Sequence, residues 1–257
     1  MTELNVALAR AVEMTHRLQD RCAPVRVPFE WGTFLSNPDL PLVWDLNFAR
    51  IEADDPPPPP AIAETVERLP WPAASRHRKI TVDDEATGAR LAHGFKEIEW
   101  QVGRLVYMVL TGAPPPVPPT PVVEMSSGER ADALVSFLPQ IGTKPETLHQ
   151  IIASRAVVED NVTVRRFGAF VDGEIATMCE LYLEGGTAQI EDVATIERFR
   201  KRGLANAVVL NALEAALSTG AEFVFLIADA DDWPKEMYAK LGFEEVGTTY
   251  EFMIPPD

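Results

Sequence analysis

A short basic segment carries the chemistry most legible in this chain. Arg200, Lys201 and Arg202 stand directly before Gly203. Behind them Ala207, Leu210, Leu213 and Leu217 form one apolar stripe at helical spacing, so a helix is expected from about Leu204. A helix start offers backbone N–H groups without partners and the positive end of a dipole. Glycine removes a side chain where an anion would approach the backbone. Three cations beside it add charge, and the combination suits a pyrophosphate. Spacing excludes two other phosphate loops. No Gly-Lys-Ser/Thr follows, as a Walker loop requires, and the three-glycine spacing of a dinucleotide fingerprint is missing.

The elements that must position this loop alternate strands and helices. Val122–Met125 reads as a short strand, and Glu129–Leu138 and Thr147–Val158 read as helices. Val164–Val171 and Glu174–Leu183 are strands joined at Asp172-Gly173, a hairpin signal. After Glu184-Gly185-Gly186 comes a third strand, Thr187–Ala194, then the loop and its helix, which Gly220 ends. Phe223–Ala228 is an apolar run suited to a strand covered on both faces. Pro234–Leu241 is a short helix, with Asp231 or Asp232 as N-cap and Gly242 beyond its end. Strand pairs are expected around Gly247.

Arg200-Lys201-Arg202-Gly203-Leu204-Ala205 matches the Arg/Gln-x-x-Gly-x-Gly/Ala signature of the GCN5-related N-acetyltransferases (GNAT). The preceding strand Gln189–Thr195 resembles that family's fourth strand, and Tyr238-Ala239-Lys240-Leu241-Gly242-Phe243 resembles its closing motif. The resemblance covers essentially all of residues 122–257. It implies an α/β fold with a mixed central sheet flanked by helices, and transfer of acetyl from acetyl-CoA to an amine without an acyl-enzyme. The implied cofactor contacts are the loop from Arg200 through Lys201, Arg202, Gly203 and Leu204 to Ala205 for pyrophosphate, and backbone at Val193 and Thr195 for pantetheine. Asp231 stands where the family has an Asn that contacts pantetheine; it accepts but cannot donate, which puts that contact in doubt. Tyr238 is the implied acid for the leaving thiolate, since its ordinary pKa lies near 10. The alternative for Tyr238 is a core aromatic on its helix. Glu191 and Asp192 are candidates for the base; alternation points them to opposite faces, so one faces the site. Each could instead bond neighbouring backbone, and a water chain could replace both. Cys179, on a half-buried strand without a nearby His, reads as inert. A non-catalytic acyl-CoA sensor is the rival reading, against which Tyr238 argues.

Proline marks the seams. Ala113–Pro121 is a stiff extended linker between an N-terminal part, 1–112, and a catalytic domain, 122–257. The N-terminal part echoes the second. Trp44-Asp45-Leu46-Asn47 parallels Glu191–Ala194, Arg78–Asp84 parallels Leu226–Asp232, and Leu91–Phe95 parallels Ala239–Phe243. It reads as an incomplete GNAT-like lobe, a tandem arrangement. Its phosphate loop is replaced by Asp54-Asp55 and Pro56–Pro60, which supply negative charge and no N–H donors, and Arg90 replaces Tyr238. Such a lobe binds no CoA there and walls an acceptor cleft, where Trp31, Trp44 and Trp71 could lie, unless they are core.

A net charge of −16 argues against a nucleic-acid partner. Two distant cysteines and four scattered histidines make neither a disulfide framework nor a metal site. No apolar run reaches the roughly 20 residues of a membrane span. Met1–Arg17 is an amphipathic helix rather than a signal peptide, which points to the cytoplasm. The expected partners are acetyl-CoA and a small-molecule or protein amine, with no metal, on a monomer or homodimer.

Overall fold

The computed structural model describes residues 3–255. The chain divides into two compact units that do not coincide with its two sequence halves. Unit 1 holds Met1–Tyr107, Asp229–Asp232 and Val246–Asp257; unit 2 holds Met108–Ala228 and Trp233–Glu245. Residues 113–121 carry no regular structure, as nine residues with six prolines require.

Unit 1 opens with helix α1 (Glu3–Cys22), whose Ala11, Met14 and Leu18 are buried. Strands β1 (Val25–Phe29), β2 (Gly32–Ser36) and β3 (Asn47–Ile51) form an antiparallel meander. Helix α2 (Pro59–Glu67) crosses over to β4 (Arg78–Val82), which lies parallel to β3. Proline at the first helical positions leaves no N–H wasted, so part of the expected rigid proline loop is the start of α2. Helix α3 (Glu85–Glu97) starts at Asp84, whose side chain accepts from the Thr87 N–H. Strand β5 (Gln101–Leu110) passes from unit 1 into unit 2, and β11 (Phe243–Ile254) passes back and pairs antiparallel with β4. Phe34, Ile80, Phe95 and Phe252 centre the core, with Trp31 and Trp71 packed against it. Trp44 stacks on His77 at 5.6 Å. All three tryptophans therefore serve unit 1 itself.

In unit 2, β6 (Val123–Glu124) precedes α4 (Ser127–Phe137), which opens on a Ser126–Glu129 capping box. Helix α5 (Pro145–Glu159) follows. Strands β7 (Thr163–Val171), β8 (Glu174–Glu184) and β9 (Thr187–Thr195) are antiparallel, with β6 on the outer side of β7. The β7–β8 turn puts Asp172 and Gly173 at φ 53° and 82°, as a two-residue hairpin needs. Helix α6 (Leu204–Ser218) crosses to β10 (Phe223–Asp229), which runs parallel to β9; α7 (Pro234–Lys240) comes last. Both units thus contain a mixed sheet, and β1-β2-β3-α2-β4-α3 repeats the order β7-β8-β9-α6-β10-α7.

Three expectations change. Trp44–Leu46 is a 3-10 turn rather than a strand, so the segment parallel to β9 is Asn47–Ile51. Gly247 is no turn: β11 runs straight through it, and a Cβ there would lie 2.5 Å from Leu8 Cδ2. Helix α7 has Trp233 at its N-cap and no side-chain cap, so neither Asp231 nor Asp232 caps it. Among the described residues no helix is long and apolar enough to cross a membrane.

Helix α3 depends on a close approach at Gly88, where a Cβ would meet Tyr250 ring atoms at 2.2 and 2.5 Å. Helix propensity alone favours alanine by about 1 kcal/mol. The contact should reverse that sign, because overfilling a packed site costs roughly 1–3 kcal/mol. Gly88→Ala is expected to lower the denaturation midpoint in urea; a raised midpoint would show that Tyr250 yields freely.

Candidate active site

Strand β9 is the organising element of the site. Its ladder with β10 spans Thr187–Ile190 against Phe223–Leu226 and stops there, although β9 continues to Thr195. Beyond Ile190, β9 keeps only β8 as a ladder partner. The cause is local. Glu180 faces Glu191 and Met178 faces Ala194, so Cys179 stands opposite two residues, Asp192 and Val193. An extra residue of this kind bends and twists the strand that carries it. Asp192 adopts φ 51°, the left-handed region. The bulge also breaks the alternation expected for the two carboxylates. Glu191 is in register with Glu180, and Arg130 bridges Glu180 and Asp192, so both carboxylates lie on the same side of the sheet.

Asp192 belongs to a partly buried ionic cluster. Arg130 on α4, 2% exposed, donates from Nε to Glu180 Oε1 at 3.0 Å and from Nη2 to Asp192 Oδ2 at 3.3 Å. Arg155 on α5 reaches Asp192 Oδ2 at 2.5 Å and Glu180 Oε2 at 3.6 Å. Arg166 on β7 pairs with Glu159. Tyr182 donates to Glu180 Oε2 at 2.9 Å. Burial, then the Glu180 and Asp192 charges, push the Tyr182 phenol well above the usual tyrosine range, so it stays a neutral donor. Three guanidinium groups meet three carboxylates, which is what keeps buried charge tolerable. Glu191 accepts from Gln189 Nε2.

At the far end of β9 the loop takes its shape. Glu197–Phe199 forms one 3-10 turn, Lys201 lies at φ 62°, and Gly203 is the N-cap of α6 at φ 75°. A Cβ on Gly203 would meet nothing within 4 Å, so backbone conformation, not crowding, calls for glycine. No side chain caps α6, and its first return bond is Ala207 N–H to the Gly203 carbonyl at 3.1 Å. The N–H groups of Leu204 and Ala205 therefore remain at the helix start without helical partners. Arg198 and Arg202 lie over the Phe199 ring at 4.8 and 5.4 Å, and Arg198 pairs with Glu174. Arg200 donates from Nε to the Thr195 carbonyl at 3.3 Å. Lys201 and Arg202 are exposed.

Tyr238 on α7 is 6% exposed and packs edge-on against Phe243, ring centres 6.3 Å apart. Its hydroxyl makes no hydrogen bond among the described residues. Burial, then the neighbouring Cys179 and Glu191, push its pKa up, so the phenol keeps its proton throughout the neutral range. The same groups show that Tyr238, Cys179 and Glu191 share one neighbourhood. Cys179 is fully buried, its thiol set against the Val208 carbonyl. Asp231 lies in unit 1, where its carboxylate pairs with Arg104.

The matching place in unit 1 is differently built. The β3–β4 ladder runs to Ile51 and Val82, where both strands end, so the strands do not part. The loop after β3 is stitched onto α3. Thr87 Oγ1 donates to the Asp54 carbonyl at 3.0 Å, and Arg90 reaches the Asp54 and Pro56 carbonyls at 3.4 Å. A Cβ on Gly94 would lie 2.9 Å from Pro59 Cγ.

Residues 135–243 match the Acetyltransferase (GNAT) family. That span resembles a GNAT domain. The matched span holds the arrangement from the bulge to Tyr238. The uncharacterized N-acetyltransferase CgeE of Bacillus subtilis is 34% identical over 71 residues, which span 26% of this chain and 27% of that protein. Among solved structures, a conserved protein from Staphylococcus epidermidis superposes with a TM-score of 0.70 at 15% identity, covering 91% of this chain and 94% of that one. A GCN5-related N-acetyltransferase from Kribbella flavida gives 0.62 at 18% identity, covering 96% of both chains. A tandem GNAT protein from the clavulanic acid biosynthesis pathway gives 0.53 at 16% identity, covering 88% and 80%. At these identities the likeness concerns the fold.

Arg130, Arg155, Arg166 and Glu180 escaped the sequence reading. A signal existed: Glu180 sits between Met178 and Tyr182 on the inward side of an otherwise apolar strand, and Arg130 precedes Ala133 and Leu134 on the buried stripe of α4. Burial pushes the Cys22 thiol up to about 11 and Cys179 higher still. Neither should react with iodoacetamide at pH 8 in the native chain, while both should in urea, as counted by mass spectrometry. A native adduct at Cys179 would reopen a covalent route.

Proposed function

We propose that unit 2 is an N-acetyltransferase that moves acetyl from acetyl-CoA to an amine of a small molecule or protein by direct attack. The observation that carries the reading is the parting of β9 from β10 after Ile190, with a basic, uncapped helix start at the end of the free strand edge. The pyrophosphate would lie on the backbone N–H groups around Gly203, Leu204 and Ala205, with Arg200, Lys201 and Arg202 supplying charge. Pantetheine would run along the free edge of β9 at Val193 and Thr195, adding like a strand.

The chemistry then divides between two groups. The amine nitrogen bonds to the thioester carbonyl carbon and the C–S bond breaks. Glu191 accepts the proton that the amine loses, and Tyr238 donates one to the departing thiolate, regaining it from solvent. Asp192 is set aside as the base because Arg130 and Arg155 engage its carboxylate, which leaves the role to Glu191. The raised pKa of Tyr238 keeps its proton available, and its unengaged hydroxyl can turn to an incoming sulfur. Asp231, whose carboxylate pairs with Arg104, is given no role in this reading.

Unit 1 fits a degenerate lobe of the same descent. Its element order supports this, and so does the way Thr87 and Arg90 hold a proline loop where a phosphate would sit. It would not bind a second CoA at that place.

Isothermal titration with acetyl-CoA tests binding, and thiol release with a panel of amines tests turnover. Gly203→Glu should raise the Kd for acetyl-CoA at least about 100-fold, since it sets bulk and negative charge against the pyrophosphate. An unchanged Kd would refute the loop assignment. Tyr238→Phe should lower kcat by roughly 10²-fold or more and leave the Kd nearly unchanged. Equal rates would leave Tyr238 a core aromatic, and binding without turnover across the panel would make the domain an acyl-CoA sensor.

A further inference from the structure

The bulge in β9 needs something to hold it. A non-glycine residue in the left-handed region is strained, and Asp192 sits there in the middle of a strand. Nothing in β9 itself supplies the compensation. The Asp192 carboxylate instead reaches two cations on two helices, Arg130 on α4 and Arg155 on α5. Arg130 is itself fixed, being 2% exposed, bonded through Nε to Glu180 at 3.0 Å and set against Met178 Sδ at 3.0 Å. Its guanidinium therefore spans both edges of the bulge: Glu180 and Met178 are the residues of β8 that flank the doubled position opposite Cys179. A planar fork that bonds one carboxylate through Nε and another through Nη2 fixes their separation in a way a point charge cannot.

We propose that Arg130 is a positioning residue for the acyl donor. Through Glu180 and Asp192 it holds β9 in the bulged path that separates it from β10 and so keeps the thioester slot open. This rests on the reading of unit 2 as an acetyltransferase. It assigns Asp192 a tethering role in place of proton transfer.

The tether and the general base predict different kinetics. Asp192→Ala removes the anchor and keeps the strain, so KM for acetyl-CoA should rise about tenfold with kcat within about threefold of the parent, the loss expected for one charge-assisted bond. Asp192→Gly also removes the anchor but adopts φ near +50° at no steric cost, so it should recover most of that KM. A purely structural carboxylate would not produce this rescue. Arg130→Gln/Glu180→Gln removes both buried charges together and avoids leaving one unpaired; it should raise KM like Asp192→Ala, and adding Asp192→Ala to it should bring little further change. The acid limb of the pH profile of kcat/KM should persist in every one of these variants. Loss of that limb with a collapse of kcat in Asp192→Ala would make Asp192 the base and overturn the tether. So would a parental KM in Asp192→Ala, or a glycine variant no better than alanine, in a chain whose parent turns over. Failure of the parent to bind acetyl-CoA would overturn the acetyltransferase reading and the tether with it.

Discussion

One strained residue governs unit 2. Asp192 takes a left-handed backbone in mid-strand, and the strand bends because an extra residue must fit opposite Cys179. The other local features follow from that bend. The β9–β10 ladder stops at Ile190, the free edge of β9 leads to the loop, and Glu191 comes near Tyr238. A cost of about 1–2 kcal/mol for the backbone is offset by bonds from guanidinium groups to carboxylate, which exceed neutral hydrogen bonds in strength. Those cations lie on α4 and α5, so the helices that cover the sheet also shape its strand.

The polar layer under these helices has a chemical consequence. The Asp192 carboxylate is shared by two guanidinium groups, whereas Glu191 accepts from the neutral amide of Gln189. Two adjacent acidic residues thus differ in the partners that the fold gives them. The same logic separates Tyr182 from Tyr238: both are buried phenols with raised pKa, but Tyr182 spends its hydrogen bond on Glu180 while the Tyr238 hydroxyl is unengaged.

Unit 1 shows what the same element order becomes without the bend. Its parallel strands stay paired until both end, and a proline loop lies stapled to α3 by Thr87 and Arg90. Proline offers no N–H, and the carbonyls of Asp54 and Pro56 are used as acceptors, so the loop presents the wrong polarity for an anion. The two loops differ in backbone donors first and in charge second.

Local signals carried a large part of the fold. Apolar periodicity marked α4, α5, α6 and β7 to β10 within a few residues, because each buries one face at its own period. Asp172-Gly173 marked its hairpin because the turn demands positive φ at both positions. Gly203 and its basic neighbours marked the loop, since the conformation and the charge are written in adjacent residues. Other features depend on residues far apart in the chain. Gly247 lies within β11 with Leu8 close against it, and the β3 ladder begins only at Asn47, after the 3-10 turn Trp44–Leu46. The split of Glu191 from Asp192 was out of reach for the same reason. By itself the sequence determined which segments fold as helix and strand and where a basic, uncapped helix start lies, because propensity, periodicity and turn chemistry act over a few residues. The tertiary structure alone decided which carboxylate is tied down and where β9 leaves β10. Those outcomes depend on Arg130 meeting Glu180 and Asp192, partners 50 and 62 residues away that only folding brings together.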